Sequence, residues 1–143
     1  MKQRPWLWGT FLWNMFDFAA DARNEGDHAG RNDKGLVTYD RKTKKDAFYF
    51  YKANWSDEPV LYITSRRFTE RTNAVTNVKI YSNAKEPELF VNGVSQGKRS
   101  DGENGVFIWK DVALSPGENK ISSRAKSGDQ IITDECVWRL SAP

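Results

Sequence analysis

Between Leu7 and Asp27 the chain reads LWGTFLWNMFDFAADARNEGD, an aromatic run that turns abruptly into carboxylates. Two kinds of chemistry suit that pairing. Aromatic faces cover apolar surface, either the protein's own core or a ligand, and clustered acids accept hydrogen bonds or hold a cation. Asp17, Asp21, Glu25 and Asp27 are close enough in sequence to share a loop, and Arg23 and Arg31 are close enough to neutralise them. Acids of this kind more often cap turns or pair with neighbouring arginines than bind a metal. The residues alone leave both readings open.

The remaining composition removes several alternatives. His28 is the only histidine and Cys136 the only cysteine, so the chain has no internal disulfide and no cysteine-based zinc site, and little for histidine metal chemistry. Cys136 lies in DECVWRL, an alternating apolar pattern, and reads as a small buried hydrophobe. The net charge is +3, with basic residues spread along the chain and the cluster Lys42, Lys44, Lys45 followed by Asp46. Nucleic-acid proteins concentrate their positive charge on one face, so a nucleic-acid partner is not expected. No apolar run reaches the ~18 residues of a membrane span. The N-terminus, MKQRPWLWGT, is basic and then apolar, but Asn14 and Asp17 interrupt the run and no small-residue cleavage pattern follows. Met1 therefore reads as an internal methionine of a longer protein. Any signal peptide would lie upstream, which leaves localisation open and a periplasmic or secreted parent compatible.

The elements that must position these residues fall into two halves, divided near Ser56-Asp57-Glu58-Pro59. In residues 1–56, Thr10 to Phe16 suits a strand buried on both faces. A helix competes, because Trp8, Phe11, Met15, Phe18 and Ala22 fall at helical spacing. Trp6, Trp8 and Phe11 fit plain core packing. AADARNEGDHAGRNDKG reads as a long ordered loop, and GLVTYDR as a short extended piece. Thr43-Lys44-Lys45-Asp46 has the form of a capping box. The helix it opens is expected over about residues 44–53, burying Ala47, Phe50, Tyr51 and Phe48 and leaving Lys45 and Lys52 in solvent.

Residues 57–143 read as antiparallel strands: PVLYIT, AVTNVKIYS, ELFVNGVSQG, GVFIWKDV, NKISSRAKS and QIITDECVWRL. Asn92-Gly93 between apolar residues predicts a hairpin with a type I′ turn, whose two central residues need positive φ. Further turns are expected at Pro116-Gly117 and Ser127-Gly128-Asp129. Six or seven short strands in about 85 residues predict an immunoglobulin-like antiparallel β-sandwich. Trp109 and Trp138 occupy apolar strand positions and are expected in its core.

The first half carries a resemblance. The run WGTFLWNMFDFAADARNEGDHAGRNDKGLVTYDRKTKKDAFYFYKANW resembles the end of the catalytic barrel in glycoside hydrolase family 2, especially bacterial β-galactosidases. It does so through Trp-Asn-Met-Phe-Asp-Phe, Glu25-Gly26-Asp27, Asn32-Asp33-Lys34-Gly35-Leu36-Val37 and Asp40-Arg41 at fixed spacing. The resemblance implies a mainly β chain: a sandwich preceded by the last strand, active-site loop and closing helix of a (β/α)8 barrel. It makes residues 1–56 the barrel end and 57–143 an accessory domain. It also implies that Trp13 is the wall of the subsite holding the cleaved sugar, since the apolar C–H face of a pyranose suits an aromatic ring. Asn32 and Lys34 match an Asn-x-Lys pattern that meets the uronate carboxylate in the related β-glucuronidases, and Lys34 could serve a hydroxyl in a galactosidase. Their alternative is a turn former and a solvated lysine.

Retaining hydrolysis needs two carboxyl groups about 5 Å apart, which this family carries as glutamates on earlier barrel strands. Asn24-Glu25 imitates the dipeptide of the acid/base but stands after the last strand. No catalytic residue is therefore assigned in this chain, and by itself it should hydrolyse nothing. The implied parent is a retaining exo-β-glycosidase, first a β-galactosidase and alternatively a β-glucuronidase. A reading of another class is a carbohydrate-binding or interdomain sandwich. No cofactor is assigned beyond a structural or site cation in the parent. The partners implied are the carbohydrate substrate, the missing barrel and, through the aromatic run, self-association.

Overall fold

The computed structural model describes residues 4–25 and 28–141. The chain divides into two compact units, Met1–Phe48 and Tyr49–Pro143. The boundary falls inside the helix, where the sequence reading placed it at 56/57.

In the first unit, residues 10–15 form neither the buried strand nor the helix expected from them. They are an irregular extended segment whose end joins a short backbone ladder. The amide N–H groups of Leu36 and Val37 donate to the carbonyls of Asn14 (3.0 Å) and Met15 (2.9 Å), and that of Asp17 donates back to Val37 (3.0 Å). This short parallel ladder explains the failure of the periodicity argument: among the described residues, no strand pairs with the apolar residues before it. The expected long loop is instead a hairpin, β1 (Phe18–Glu25) and β2 (His28–Asn32), antiparallel and irregular in register around Asn24. Gly26 and Asp27, and with them the role of Asp27, lie outside the described residues.

Gly35 allows the ladder to close. A Cβ placed on it would lie 2.2 Å from the Asp17 nitrogen and 2.2 Å from the Phe16 carbonyl carbon, so only glycine fits beside that backbone. Its own N–H donates to Asp17 Oδ1 at 2.9 Å, and Lys45 Nζ reaches the same oxygen at 2.6 Å. Lys45 was expected in solvent. It is instead the counter-ion of a buried carboxylate, because an unpaired Asp17 at that depth would be costly.

The helix α1 spans Asp46–Trp55, and the predicted capping box does not form. Thr43 and Lys45 are engaged in an antiparallel bridge: Thr38 N–H donates to the Thr43 carbonyl and Lys45 N–H to the Leu36 carbonyl. That extended pairing pushes the helix start past Lys45, whose carbonyl accepts the Phe48 N–H at 2.9 Å. Ala47, expected in the buried face, is exposed, and Ala53 is the buried residue. Lys52 pairs with Glu58 at 2.6 Å.

The second unit is an antiparallel β-sandwich, as expected. One sheet has the order β3-β5-β8, from Leu61–Ile63, Val75–Ser82 and Val106–Ala113. The other has the order β4-β10-β9-β6-β7, from Glu70–Arg71, Gln130–Leu140, Gly117–Ser127, Lys85–Val91 and Val94–Lys98. The sole parallel pair among the described strands of this unit is β4 with β10. Inward positions alternate along each long strand, as period-two patterning requires. Ile63, Val78, Ile80, Leu89, Ile121 and Trp138 are all but fully buried in the shared core. Trp109 is also in that core, and half-buried Cys136 packs against it. From the helix, Tyr49 stacks on Tyr62 with ring centroids 3.6 Å apart.

The Asn92-Gly93 turn has the expected positive φ at both residues, 51° and 81°. It is stitched to β9 through Asn119, which is fully buried. Asn119 Oδ1 accepts from Asn92 Nδ2 (3.1 Å) and Ser115 N–H (2.8 Å), while its Nδ2 donates to the Ser115 and Gly117 carbonyls (2.7 and 3.0 Å). One side chain thus satisfies two turns.

Two outcomes follow for stability. Asn119→Ala strands those backbone groups and should cost roughly 2–4 kcal/mol in urea unfolding. Gly35→Ala should cost about 2 kcal/mol or more. It should speed amide exchange at Asp17 and Val37 while leaving Ile80 and Leu89 protected, since the clash lies in the first unit.

Candidate functional site

The three residues singled out by the sequence come together in the first unit. The β1–β2 ladder sets Phe18 opposite Asn32. Trp13 lies edge-to-face on Phe18, with ring centroids 6.1 Å apart and planes at 88°. Lys34 follows two residues after Asn32. Phe18 therefore lies between Trp13 and Asn32, and Asn32 is tied to Lys34 through the turn.

Their environments differ. Trp13 is 75% exposed, so most of its indole is open to a ligand or a neighbouring domain. Trp6, Trp8 and Phe11 were expected in a core, yet they are 72%, 90% and 89% exposed. The correction has the same cause as the missing strand: among the described residues, no element of the chain covers this run. The peptide bond between Trp13 and Asn14 is cis, and Asn14 Oδ1 accepts the Phe16 N–H at 2.8 Å.

Asn32 is buried, and its Oδ1 accepts the Lys34 N–H at 3.0 Å. That contact is an Asx-type turn, in which a side-chain oxygen replaces a backbone carbonyl and fixes the following two residues. Asn32 thus shapes the turn that presents Lys34. The Lys34 side chain is about half exposed, and its Nζ lies 2.7 Å from Glu25 Oε1. Glu25 also accepts the Asp33 N–H through Oε2 at 3.1 Å and meets Arg23 at 3.4 Å. The Lys34 ammonium first, and then the Asp33 N–H, hold the Glu25 carboxyl down to a pKa of about 2.

The acids that could have formed a cation site are therefore largely engaged with the protein's own donors: Asp17 with Gly35 and Lys45, and Glu25 with Lys34, Asp33 and Arg23. Among the described residues, no group of three or more histidine, cysteine or acidic side chains is arranged to hold a metal ion. Asp17, Gly35 and Lys45 are the residues that sequence reasoning undervalued. The NDKG run hinted at Gly35, but nothing local ties Lys45 to an aspartate 28 positions earlier. In the second unit, Trp109 and Trp138 are 3% and 1% exposed. Neither can offer a ring to a glycan, so the binding-module reading loses the aromatic residues it rested on.

The arrangement resembles known proteins throughout its length. A domain family described as Domain of unknown function (DUF4982) matches residues 73–132. A β-glucuronidase of Bacteroides fragilis is 51% identical over 136 residues, which is 94% of this chain and 19% of that protein. The β-galactosidase BoGH2A of Bacteroides ovatus is 30% identical over 136 residues, 94% of this chain and 16% of its own length. The solved structure of Bacteroides uniformis β-glucuronidase 2, covalently bound to cyclophellitol-6-carboxylate aziridine, superposes with a TM-score of 0.82 at 33% identity. The match covers 90% of this chain and 16% of that one. The chain thus spans a fifth or less of the length of these relatives. By sequence and by fold the chain is homologous to the C-terminal part of β-glucuronidases and β-galactosidases of glycoside hydrolase family 2.

Proposed function

We propose that the chain is the C-terminal part of a retaining exo-β-glycosidase that removes terminal β-glucuronate, and that its first unit supplies one wall of the sugar site. The observation that carries this reading is Lys34. Its ammonium stands half exposed on a turn shaped by a buried asparagine, with a carboxylate already 2.7 Å away. A group that pairs with Glu25 in the free protein is suited to pair with the carboxylate of a uronate, through a point charge and three donors. Glu25 then acts as the stand-in partner that holds the lysine in place until substrate arrives. The β-glucuronidase relative at 51% identity, against 30% for the β-galactosidase, supports the uronate over the neutral sugar. Trp13 would lie against the apolar face of the ring.

In this reading residues 1–56 complete a barrel whose other strands carry the two glutamates, and residues 57–143 are the accessory sandwich. Bond cleavage belongs to those glutamates, and this chain orients the sugar. Trp6, Trp8 and Phe11 are the faces that meet the barrel. The galactoside reading, with Lys34 donating to a hydroxyl, is favoured by the Bacteroides ovatus relative, and a direct assay separates the two.

In the full-length protein, Lys34→Ala should lower kcat/KM on 4-nitrophenyl β-glucuronide by about a hundredfold or more, the loss of a charge-assisted contact in a desolvated site. Its effect on the matching β-galactoside should stay within about threefold. Equal losses on both substrates, or preference of the unaltered enzyme for the galactoside, would overturn the uronate assignment.

The ion pair makes a separate prediction in the 143-residue chain. Glu25 titrates at about 2 when folded against an ordinary 4.5, so its contribution to stability is complete above 4.5 and is lost as pH falls through 2. Carbon-13 NMR of the Glu25 carboxyl should give that low midpoint, and Lys34→Ala should move it up toward 4.5.

A further inference from the structure

The outer face of the five-stranded sheet pairs its charges with opposite signs across most of its area. Glu118 faces Arg139 at 3.2 Å, Lys120 meets Glu135 at 2.8 Å, and Glu88 accepts two guanidinium contacts from Arg124, at 3.1 and 2.9 Å. At one end the pattern breaks. Lys85 of β6 stands directly opposite Lys126 of β9, and like charges in that position destabilise a ladder. Lys98 of β7 joins them around a groove of about 400 Å³, which Glu86, Glu88 and Arg124 also line. Among the described residues, Lys85 and Lys126 form no ion pair; Lys98 stands opposite Glu88, whose carboxyl its charge helps hold down, and Arg124 is committed to Glu88 and stacks over Phe90 at 4.8 Å.

Two ordinary explanations fall short. Lysines commonly guard an exposed sheet edge against pairing, but β9 is the central strand of this sheet and β6 is also internal. Only Lys98 lies on an edge. Nor is the clustering a result of regular geometry. Between Lys85 and Glu88 the register slips against Lys126 and Arg124 by one extra residue, and Glu86 within the slip has φ +50°, a conformation unfavourable for a non-glycine residue. The bulge turns both Lys85 and Glu88 toward the same face, so a strained backbone produces the like-charged pair. Bulges of this kind re-aim side chains near binding sites.

We propose that this groove binds an acidic polysaccharide, a glycan chain carrying repeated uronate carboxylates. Lys85, Lys98 and Lys126 meet the carboxylates, and Glu86 accepts sugar hydroxyls. An acidic glycan fits better than a nucleic acid because the described residues lining the groove include no aromatic ring on which bases could stack. The proposal extends the glucuronidase reading by giving the sandwich a hold on a longer acidic substrate. It is tested by binding alone, so either can fail without the other.

The test is affinity electrophoresis and isothermal titration of the 143-residue chain against polygalacturonate, neutral dextran and a DNA duplex. Polygalacturonate should bind, weakening steeply with salt, and dextran should not. The K85Q/K126Q double variant should bind about five- to tenfold more weakly, as expected for two exposed charge contacts. It should melt no lower than the unaltered chain, because a like-charged pair has been removed. K79Q/K110Q, with the same charge change on the other sheet, should bind as before. Failure to bind polygalacturonate, equal or tighter binding of DNA, or equal weakening by both double variants would each overturn the proposal.

Discussion

Asp17 is buried with its Oδ1 shared between a backbone N–H and an ammonium, and the first unit is arranged around that arrangement. Removing a carboxylate from water costs several kcal/mol unless donors replace the lost hydration, so the chain must bring Gly35 and Lys45 to it. Gly35 arrives because no side chain stands between the two backbones. Lys45 arrives because the bridge between residues 36–38 and 43–45 turns it inward, where it also donates to the Asp33 carbonyl at 2.5 Å. The turn Asn32-Asp33-Lys34 is thereby held from both sides, by the asparagine within it and by the lysine beneath it. The exposed Lys34 ammonium inherits its position from these buried contacts.

The two units solve the problem of apolar surface in opposite ways. The sandwich buries its large side chains between two sheets and keeps its polar turns tied down by a single buried asparagine. The first unit presents tryptophans and a phenylalanine outward. Exposed aromatic side chains in such number are uncommon on a finished surface. Their exposure accords with a chain that matches 19% of its Bacteroides fragilis relative.

The charge arrangement follows a similar division. Where a side chain serves the fold, it is paired: Asp17 with Lys45, Glu88 with Arg124, and Lys52 with Glu58. Elsewhere the pairing is more exposed or like-charged: Lys34 meets Glu25 at the surface, and Lys85 stands opposite Lys126.

The sequence by itself determined the sandwich, because period-two alternation and turn chemistry are local and decide which face of each strand is buried. The Asn92-Gly93 turn, the buried Trp109 and Trp138, and the packing of Cys136 were all legible for that reason. It also carried the likeness to glycoside hydrolase family 2, through motifs whose spacing is a property of the chain. Tertiary structure alone decided the rest. Thr43 looked like a helix cap until a bridge to Leu36 and Thr38 claimed its neighbourhood, and AADARNEGDHAGRNDKG looked like a loop until β2 paired with β1. Lys45 looked like a solvated lysine until Asp17 was folded against it. Each of these outcomes depends on a partner distant in sequence, whose burial sets the energy at stake, and no local pattern records which partner that is.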